Sequence, residues 1–148
     1  MAESLPESPK PIAEPAKPTA GGFIWGTGRR KTAVARVRIK PGAGLFVINK
    51  HEIDKYFTER RDRQDVIAPL NVTSTQGKLD VFVNVSGGGC TGQAGAIRLG
   101  LARALKGYDP TLEQALRDND LLTRDSREVE RKKPGQPGAR KRFQFSKR

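Results

Sequence analysis

The sequence predicts an α+β protein in which helices pack on a small, largely antiparallel sheet. Residues 29–40 and 79–86 alternate between apolar and polar side chains, with the period of two that is typical of half-buried strands. Residues 93–106 change to the helical period. At 148 residues without an internal repeat, the chain has the length of one domain with flanking extensions.

The first predicted strand separates its side chains by chemistry. One face carries Ala33, Ala35, Val37 and Ile39, and the other carries Arg36, Arg38 and Lys40. Residues 41–44 (PGAG) are typical of a turn, and residues 45–48 (LFVI) of a second strand. Together they predict a β-hairpin.

The remaining elements follow in order. Residues 54–68 are predicted to be helical and to end at Pro69. The strand at 79–86 turns Val81, Val83 and Val85 to one side. The next helix, 93–106, has an apolar stripe and ends at Gly107, and Asp109-Pro110 begins a short helix that continues to Asp118.

Charge identifies the class of partner. The chain has 28 Lys and Arg residues against 16 Asp and Glu, a net charge of +12. Such a field attracts polyanions. No apolar run approaches the roughly 20 residues of a membrane span, and the start of the chain does not resemble a signal peptide. One cysteine and one histidine argue against a zinc site, and the lone cysteine fits a reducing cytoplasm.

Composition divides the chain into three parts. Residues 1–22 are rich in Pro and Ala, and we expect a disordered extension there. Residues 23–123 hold nearly all the Leu, Ile and Val, and we expect them to form the globular domain. Residues 124–148, the tail, carry ten basic and three acidic residues and too little apolar surface to fold alone. We expect the tail to be extended.

The glycine turn at residues 87–92 leaves two interpretations open. Gly87, Gly89 and Gly92 match the dinucleotide fingerprint, but no second strand follows to present an acidic residue, because Glu113 falls in another helix. A phosphate loop would need Lys where Gln93 stands. A tight strand-to-helix turn, or a backbone contact to an RNA phosphate at a helix N-terminus, explains the glycines better.

Two basic segments predict the nucleic-acid contacts. On the first strand the cations of alternate residues lie about 6.6 Å apart on one face, and residues 29–31 extend the row. In the tail, residues 140–148 interleave cations with Phe143 and Phe145, which suits phosphate contact and base stacking. Trp25 is interpreted as a core residue, and no residue set suggests catalysis.

Several separated motifs then resemble one family, the ninth protein of the bacterial small ribosomal subunit. The matching segments are GTGRRK at 26–31, AVARV at 33–37, VSGGG at 85–89, GQAGAIR at 92–98, ARAL at 102–105, LTRD at 122–125, ERKK at 130–133 and QFSKR at 144–148. They span residues 26–148 in order, which makes the match far more specific than any single glycine motif.

The resemblance implies a two-layer sandwich like the second domain of the fifth small-subunit protein. It also implies a non-enzymatic role in translation without a cofactor, in the cytoplasmic ribosome. The expected partners are the 3′ domain of small-subunit rRNA, neighbouring proteins of the subunit head and the anticodon arm of the peptidyl-site tRNA.

The charge pattern and the resemblance together give the expected rRNA contacts, whereas the resemblance alone implies the tRNA contacts. Those expected at rRNA are Arg29, Arg30, Lys31, Arg36, Arg38, Lys40, Gly88, Gly89, Arg131, Lys132, Lys133, Arg140, Lys141 and Arg142. Those expected at tRNA are Ser146, Lys147 and Arg148. Two alternatives stay open: a nucleotide-binding enzyme that uses residues 87–92 for NAD or ATP, and a general nucleic-acid architectural protein.

Overall fold

The structure is a computed structural model that describes residues 21–147. Within these residues the strands are β1 (Ile24–Arg30), β2 (Ala33–Pro41), β3 (Phe46–Ile48), β4 (His51–Glu52) and β5 (Leu79–Ser86). The helices are α1 (Ile53–Tyr56), α2 (Arg60–Val72), α3 (Cys90–Tyr108) and α4 (Glu113–Asp118). The expected N-terminal extension lies almost wholly outside the described residues, as does Arg148.

The five strands form one mixed sheet in the order β1-β2-β5-β3-β4. Every neighbouring pair is antiparallel except β3 and β5, which run parallel. Helix α3 packs directly on β1 and β2, and α2 packs on α3, so that buried residues of both helices share one core with those of the strands. The predicted α+β class is therefore confirmed.

The core lies between the sheet and α3. The apolar residues of β2 that alternate toward the helix, from Ala33 to Ile39, are 0% exposed. Val81, Val83 and Val85 of β5 are buried beside them, and Ile97 and Leu101 of α3 cover them. The two periodicities of the sequence therefore give the correct inward faces.

The predicted hairpin between residues 29–40 and 45–48 is wrong. β3 does not pair with β2, because β5 lies between them and pairs with both. The loop after β2 is held by Asp80 of β5, whose Oδ1 accepts the backbone N–H groups of Gly44 and Leu45 at 3.1 and 3.0 Å. β5, which is distant in sequence, thus occupies the position beside β2 that the predicted hairpin assigned to residues 45–48.

The true hairpin joins β1 to β2 through a turn at Lys31 and Thr32. Sequence patterning did not identify β1, because Gly26 and Gly28 occupy its inward positions. A Cβ at Gly26 would collide with the carbonyl oxygen of Gly100, and a Cβ at Gly28 with that of Ala96. Because any larger residue at these two positions would collide with α3, the glycines allow β1 to pack directly against the backbone of this helix.

The helix predicted at 54–68 is two helices. The chain leaves the helical conformation at Phe57, which is 1% exposed in the core, and starts α2 at Arg60. Pro69 lies inside α2 and does not end it. It falls in the last turn, buried next to Leu70, where the hydroxyl of Thr73 donates to the Pro69 carbonyl at 2.8 Å.

The C-terminal helices follow the prediction more closely. α3 continues through Gly107 to Tyr108. Asp109 then caps the next turn, since its carboxylate accepts the backbone N–H of Thr111 at 2.9 Å, and Pro110 occupies the first position of that turn. Leu121 is buried, but residues 119–147 contain neither helix nor strand.

Candidate nucleic-acid interface

The face of the sheet opposite α3, here called the outer face, exposes its side chains. On β1, β2 and β5 these residues are the cross-strand neighbours in the register Trp25–Arg38–Phe82 and Thr27–Arg36–Asn84. They alternate with the buried residues that face α3, so the helices leave them exposed or half-buried. The fold therefore presents a flat surface built from the polar positions of three strands.

Arg29 and Arg36 form the open basic end of the outer face. Both are exposed, and together with Asn84 and Ser86 they line a shallow concavity. No carboxylate lines this concavity, and neither arginine makes an ion pair with any residue between 21 and 147. This arrangement leaves two guanidinium groups available to an anion.

Arg38 and Lys40, at the other end, are engaged within the protein. The Arg38 guanidinium lies 5.2 Å from the centre of the Phe23 ring, 5.4 Å from Phe82 and 5.9 Å from Trp25. The Lys40 ammonium lies 4.0 Å from the Asp80 carboxylate and 5.6 Å from the Phe23 ring. The cations expected as one row therefore differ in their surroundings.

Trp25 is not a core residue. It lies on the outer face and is 50% exposed, so its interpretation as a core anchor is wrong. The physical reason is the alternation of β1, in which Gly26 and Gly28 take the inward positions. A signal was present in the sequence, because Phe82 alternates with Val81 and Val83 and therefore shares the polar side of β5.

Arg30 points away from Arg29, to the helix side of the sheet. Its Nη2 donates to Asp125 at 3.1 Å, and its Nη1 donates to the carbonyl of Thr91 at 3.4 Å. The side chain is 19% exposed. Arg30 therefore connects β1 to the start of the tail, while the exposed Lys31 occupies the turn with a φ of 51°.

The glycine turn is held by hydrogen bonds within the protein. Gly87 and Gly88 have φ values of 76° and 66°, which favour glycine. The Gln93 side chain donates to the Gly87 carbonyl at 3.1 Å and accepts the Tyr56 hydroxyl at 2.7 Å. Asn49 donates to Tyr56 at 3.3 Å and exchanges two hydrogen bonds with the Val85 backbone. Both ends of the Gln93 side-chain amide are therefore used to hold the turn.

The nucleotide-binding interpretation of this turn finds no support in the topology. Within the described residues no strand follows α3, and Glu113 lies in α4, where it pairs with Lys106 and Arg117. The expected RNA-contacting residues Gly88 and Gly89 are exposed, and Gly89 precedes α3 without a side-chain cap. The first backbone N–H groups of a helix have no acceptor within the helix itself.

The tail begins at an ion-pair cluster. Asp125 accepts the Arg127 guanidinium at 2.8 Å, the Arg127 backbone N–H at 3.1 Å and the Arg30 guanidinium. The Arg127 hydrogen bonds and then the charge of Arg30 hold the pKa of the Asp125 carboxyl well below its usual range. This cluster fixes the point at which the chain leaves the domain.

Beyond this cluster every described cation of the tail is exposed. Arg140 makes a two-bond pair with Glu130, at 3.0 and 2.7 Å. The other described cations expected to contact RNA or tRNA are Arg131, Lys132, Lys133, Lys141, Arg142 and Lys147, all exposed. Phe143 and Phe145 are 73% and 87% exposed, and Ser146 lies beside them.

Metal binding and membrane spanning find no support in the described part of the chain. Residues 21–147 contain no cluster of His, Cys, Asp and Glu that would hold a metal ion, and Cys90 is an exposed free thiol. None of the helices found there has both the length and the apolar character needed to cross a membrane.

Comparison with known proteins gives a single family. The sequence matches the ribosomal protein S9/S16 family over residues 28–148. It is 54% identical over 121 residues to the small ribosomal subunit protein uS9 of Anaeromyxobacter sp. (strain K) and to that of Anaeromyxobacter dehalogenans (strain 2CP-1). Each match covers 82% of this chain and 93% of the relative.

An α+β domain with a basic outer face and a long basic tail is typical of the class of proteins that bind nucleic acid. The chain belongs to the ribosomal protein S9/S16 family. It is accordingly a structural component of the small ribosomal subunit in the cytoplasm and not an enzyme, as the resemblance implied. Binding of rRNA is typical of this family.

Proposed function

We propose that the chain binds the 3′ domain of small-subunit rRNA in the head and extends its tail to the anticodon arm of the peptidyl-site tRNA. The observation that carries the proposal is the distribution of charge: from residue 131 to the end, the chain has eight basic residues and no acidic one. Of these, the described cations are exposed, and only Arg140 forms an ion pair.

The domain contributes fewer, fixed contacts. Arg29 and Arg36 present two guanidinium groups on a rigid strand pair, which suits the recognition of a particular arrangement of phosphates. Lys31, Gly88 and Gly89 lie near one another at the edge where β1 turns into β2. Shape would select the site, while phosphate neutralisation by the tail would supply affinity and salt sensitivity.

Filter binding at several salt concentrations tests the rRNA part. The full chain is titrated with a transcript of the 3′ domain, a 5′-domain transcript of equal length and duplex DNA of equal charge. We expect the 3′-domain transcript to bind most tightly at every salt concentration. Equal affinity for all three would indicate a general architectural protein and would contradict the proposed site in the head.

The tRNA part requires assembled subunits. Subunits that carry a chain lacking residues 146–148 should bind peptidyl-site tRNA more weakly, by about 1 kcal/mol for each charged interaction that the deletion removes. A Lys78→Ala chain, which loses an exposed cation in the loop before β5, is the matched control. Toeprinting with unchanged tRNA occupancy in the deletion subunits would show that the tail ends elsewhere.

A further inference from the structure

Three rings on the outer face, Phe23, Trp25 and Phe82, form what we call the aromatic patch. Phe23 and Phe82 meet edge to face, with ring centres 6.0 Å apart. Arg38 lies within about 6 Å of all three ring centres and thereby holds the rings around one guanidinium. The three rings therefore contact one another or Arg38 in defined positions, and the patch is an ordered part of the sheet surface.

Folding does not account for the exposure of Trp25. The residue is 50% exposed on a sheet face that no described helix covers. Half of one of the largest apolar side chains stays in water, although burying aromatic surface is among the strongest stabilising contributions in a protein. A large exposed aromatic side chain in basic surroundings indicates a partner that stacks on it.

The charges around the patch favour RNA over a protein partner. A protein that packed on the rings would also bury Arg38 and Lys40, and desolvated cations are costly without acidic partners. The nearby carboxylate, Asp80, accepts the N–H groups of Gly44 and Leu45 with Oδ1 and lies 4.0 Å from Lys40 with Oδ2, so Arg38 has no acidic partner within residues 21–147. A nucleotide carries both an aromatic base for the rings and a phosphate for the cations.

The spacing along the face fits a continuous strand of nucleic acid. Arg38 lies directly across from Trp25, and Arg36 lies two residues away from Arg38 on the same face of β2. Arg36 is therefore about 7 Å from the level of Trp25 along the strand direction. Arg29 lies two repeats of β1 from Trp25, about 13 Å away. A base on Trp25 would therefore place the following phosphates of its strand over the two open guanidinium groups.

We propose that Trp25 is a stacking site for an unpaired base of RNA, whose flanking phosphates are bound by Arg36 and Arg29. The inference rests on the proposed rRNA-binding function and assigns to it a specific platform. An unpaired base is required because a base inside a duplex has no free face to offer.

Trp25 reports on its own site, because it is the only tryptophan of the chain. The full chain is titrated with single-stranded oligoadenylate and, separately, with inorganic polyphosphate, which has the charge but no bases. We expect strong quenching of Trp25 fluorescence by oligoadenylate and little by polyphosphate. Equal quenching by both would overturn stacking, since it would show an effect of charge alone.

A second signal separates this inference from the proposed function. The anisotropy of an end-labelled oligoadenylate reports binding anywhere on the chain. Binding without quenching would refute the stacking site and leave the RNA-binding function intact, whereas the absence of any binding would refute both. Acrylamide must quench Trp25 in the free chain; protection would mean that residues 1–20 or a second copy occupy the patch, contrary to the proposal.

Two variants with equal exposure provide the matched comparison. Leu45, like Trp25, is 50% exposed. We expect Trp25→Ala to weaken oligoadenylate binding by about tenfold or more, and Trp25→Phe to retain most of the affinity. Leu45→Ala should leave it nearly unchanged. Thermal unfolding of each variant verifies its fold, and equal losses for Trp25→Ala and Leu45→Ala would contradict the stacking role.

Discussion

The outer face of the sheet and the tail are both basic, but they hold their cations differently. On and around the sheet, Arg30, Arg38 and Lys40 are each held by a carboxylate or by aromatic rings. Arg29 and Arg36 have no ion pair within residues 21–147, but their backbone is held by the β1–β2 pairing. In the tail, among residues 131–147, only Arg140 has an acidic partner. Charge held in place serves the recognition of a shape, and exposed charge on an extended segment serves affinity for any nearby phosphate.

The largest effect should come from deleting residues 140–148. This change removes five cations and no aliphatic residue, so the slope of log affinity against log salt for RNA should fall by at most about 3.5 units. Filter binding across salt concentrations measures the slope, and calorimetry should find the thermal transition of the domain in place. Disappearance of that transition would show that the tail supports the fold, and it would contradict the distinction between a folded domain and an independent tail.

The opposite variant tests the rigidity of the domain. Gly28→Ala would place a methyl group against the Ala96 carbonyl and the backbone of Gly100, where neither can move away cheaply. We expect urea denaturation to show a loss of at least about 3 kcal/mol. The control is Gly138→Ala in the tail, whose added methyl group would lie 3.4 Å from Lys141 in ordinary contact. Similar losses in both variants would contradict the contrast between the regions.

A smaller effect tests the hydrogen bonds that hold the glycine turn. Tyr56→Phe removes the hydroxyl that donates to Gln93 at 2.7 Å and accepts from Asn49. The free energy of unfolding should fall by about 1 kcal/mol. Tyr108→Phe is the control, since the Tyr108 hydroxyl makes no hydrogen bond to residues 21–147. If chemical denaturation finds equal losses, the network does not hold the turn.

The smallest effect concerns the junction between the two regions. The folded-state pKa of Asp125 is lowered by Arg127 and Arg30, so its pairing contributes stability above the ordinary carboxyl pKa, near pH 4, and loses that contribution as the pH falls further. Asp125→Asn should therefore unfold at a slightly lower temperature than the parent chain at pH 7.

Below about pH 4 the two melting temperatures should converge. Scanning calorimetry at a series of pH values follows the difference between the two chains, so carboxylates common to both cancel. A difference that stays constant down to about pH 2 would show that the charge of Asp125 is not what connects the tail to β1.

The sequence was sufficient wherever one element determines its own pattern. Alternation in β2 and β5 and the helical period of α3 gave the correct buried faces, because those patterns are local. The strand order was not predictable in the same way, since the insertion of β5 beside β2 depends on residues 38 to 52 positions apart in the chain. The parallel pairing of β3 is a tertiary outcome of the same kind.

In the candidate site, too, features set by local pattern were predictable and features set by long-range contacts were not. Exposure of the tail cations was predictable from their composition, while the separation of Arg29 from Arg30 was available from strand alternation once β1 was recognised. β1 itself was hidden by Gly26 and Gly28, whose purpose is visible only against α3. The pairing of Arg30 with Asp125 joins residues 95 positions apart, and no local pattern reports it.

β1 also constrains how this protein can change over evolution. Its inward residues, Gly26 and Gly28, meet the backbone of α3, and its outward residues, Trp25 and Arg29, face solvent. Inserting or deleting a single residue here would exchange the two sets, setting a tryptophan against the helix and a glycine on the surface. Point substitutions on the outward side can be explored one at a time, but length variation in this strand would abolish folding and surface chemistry together.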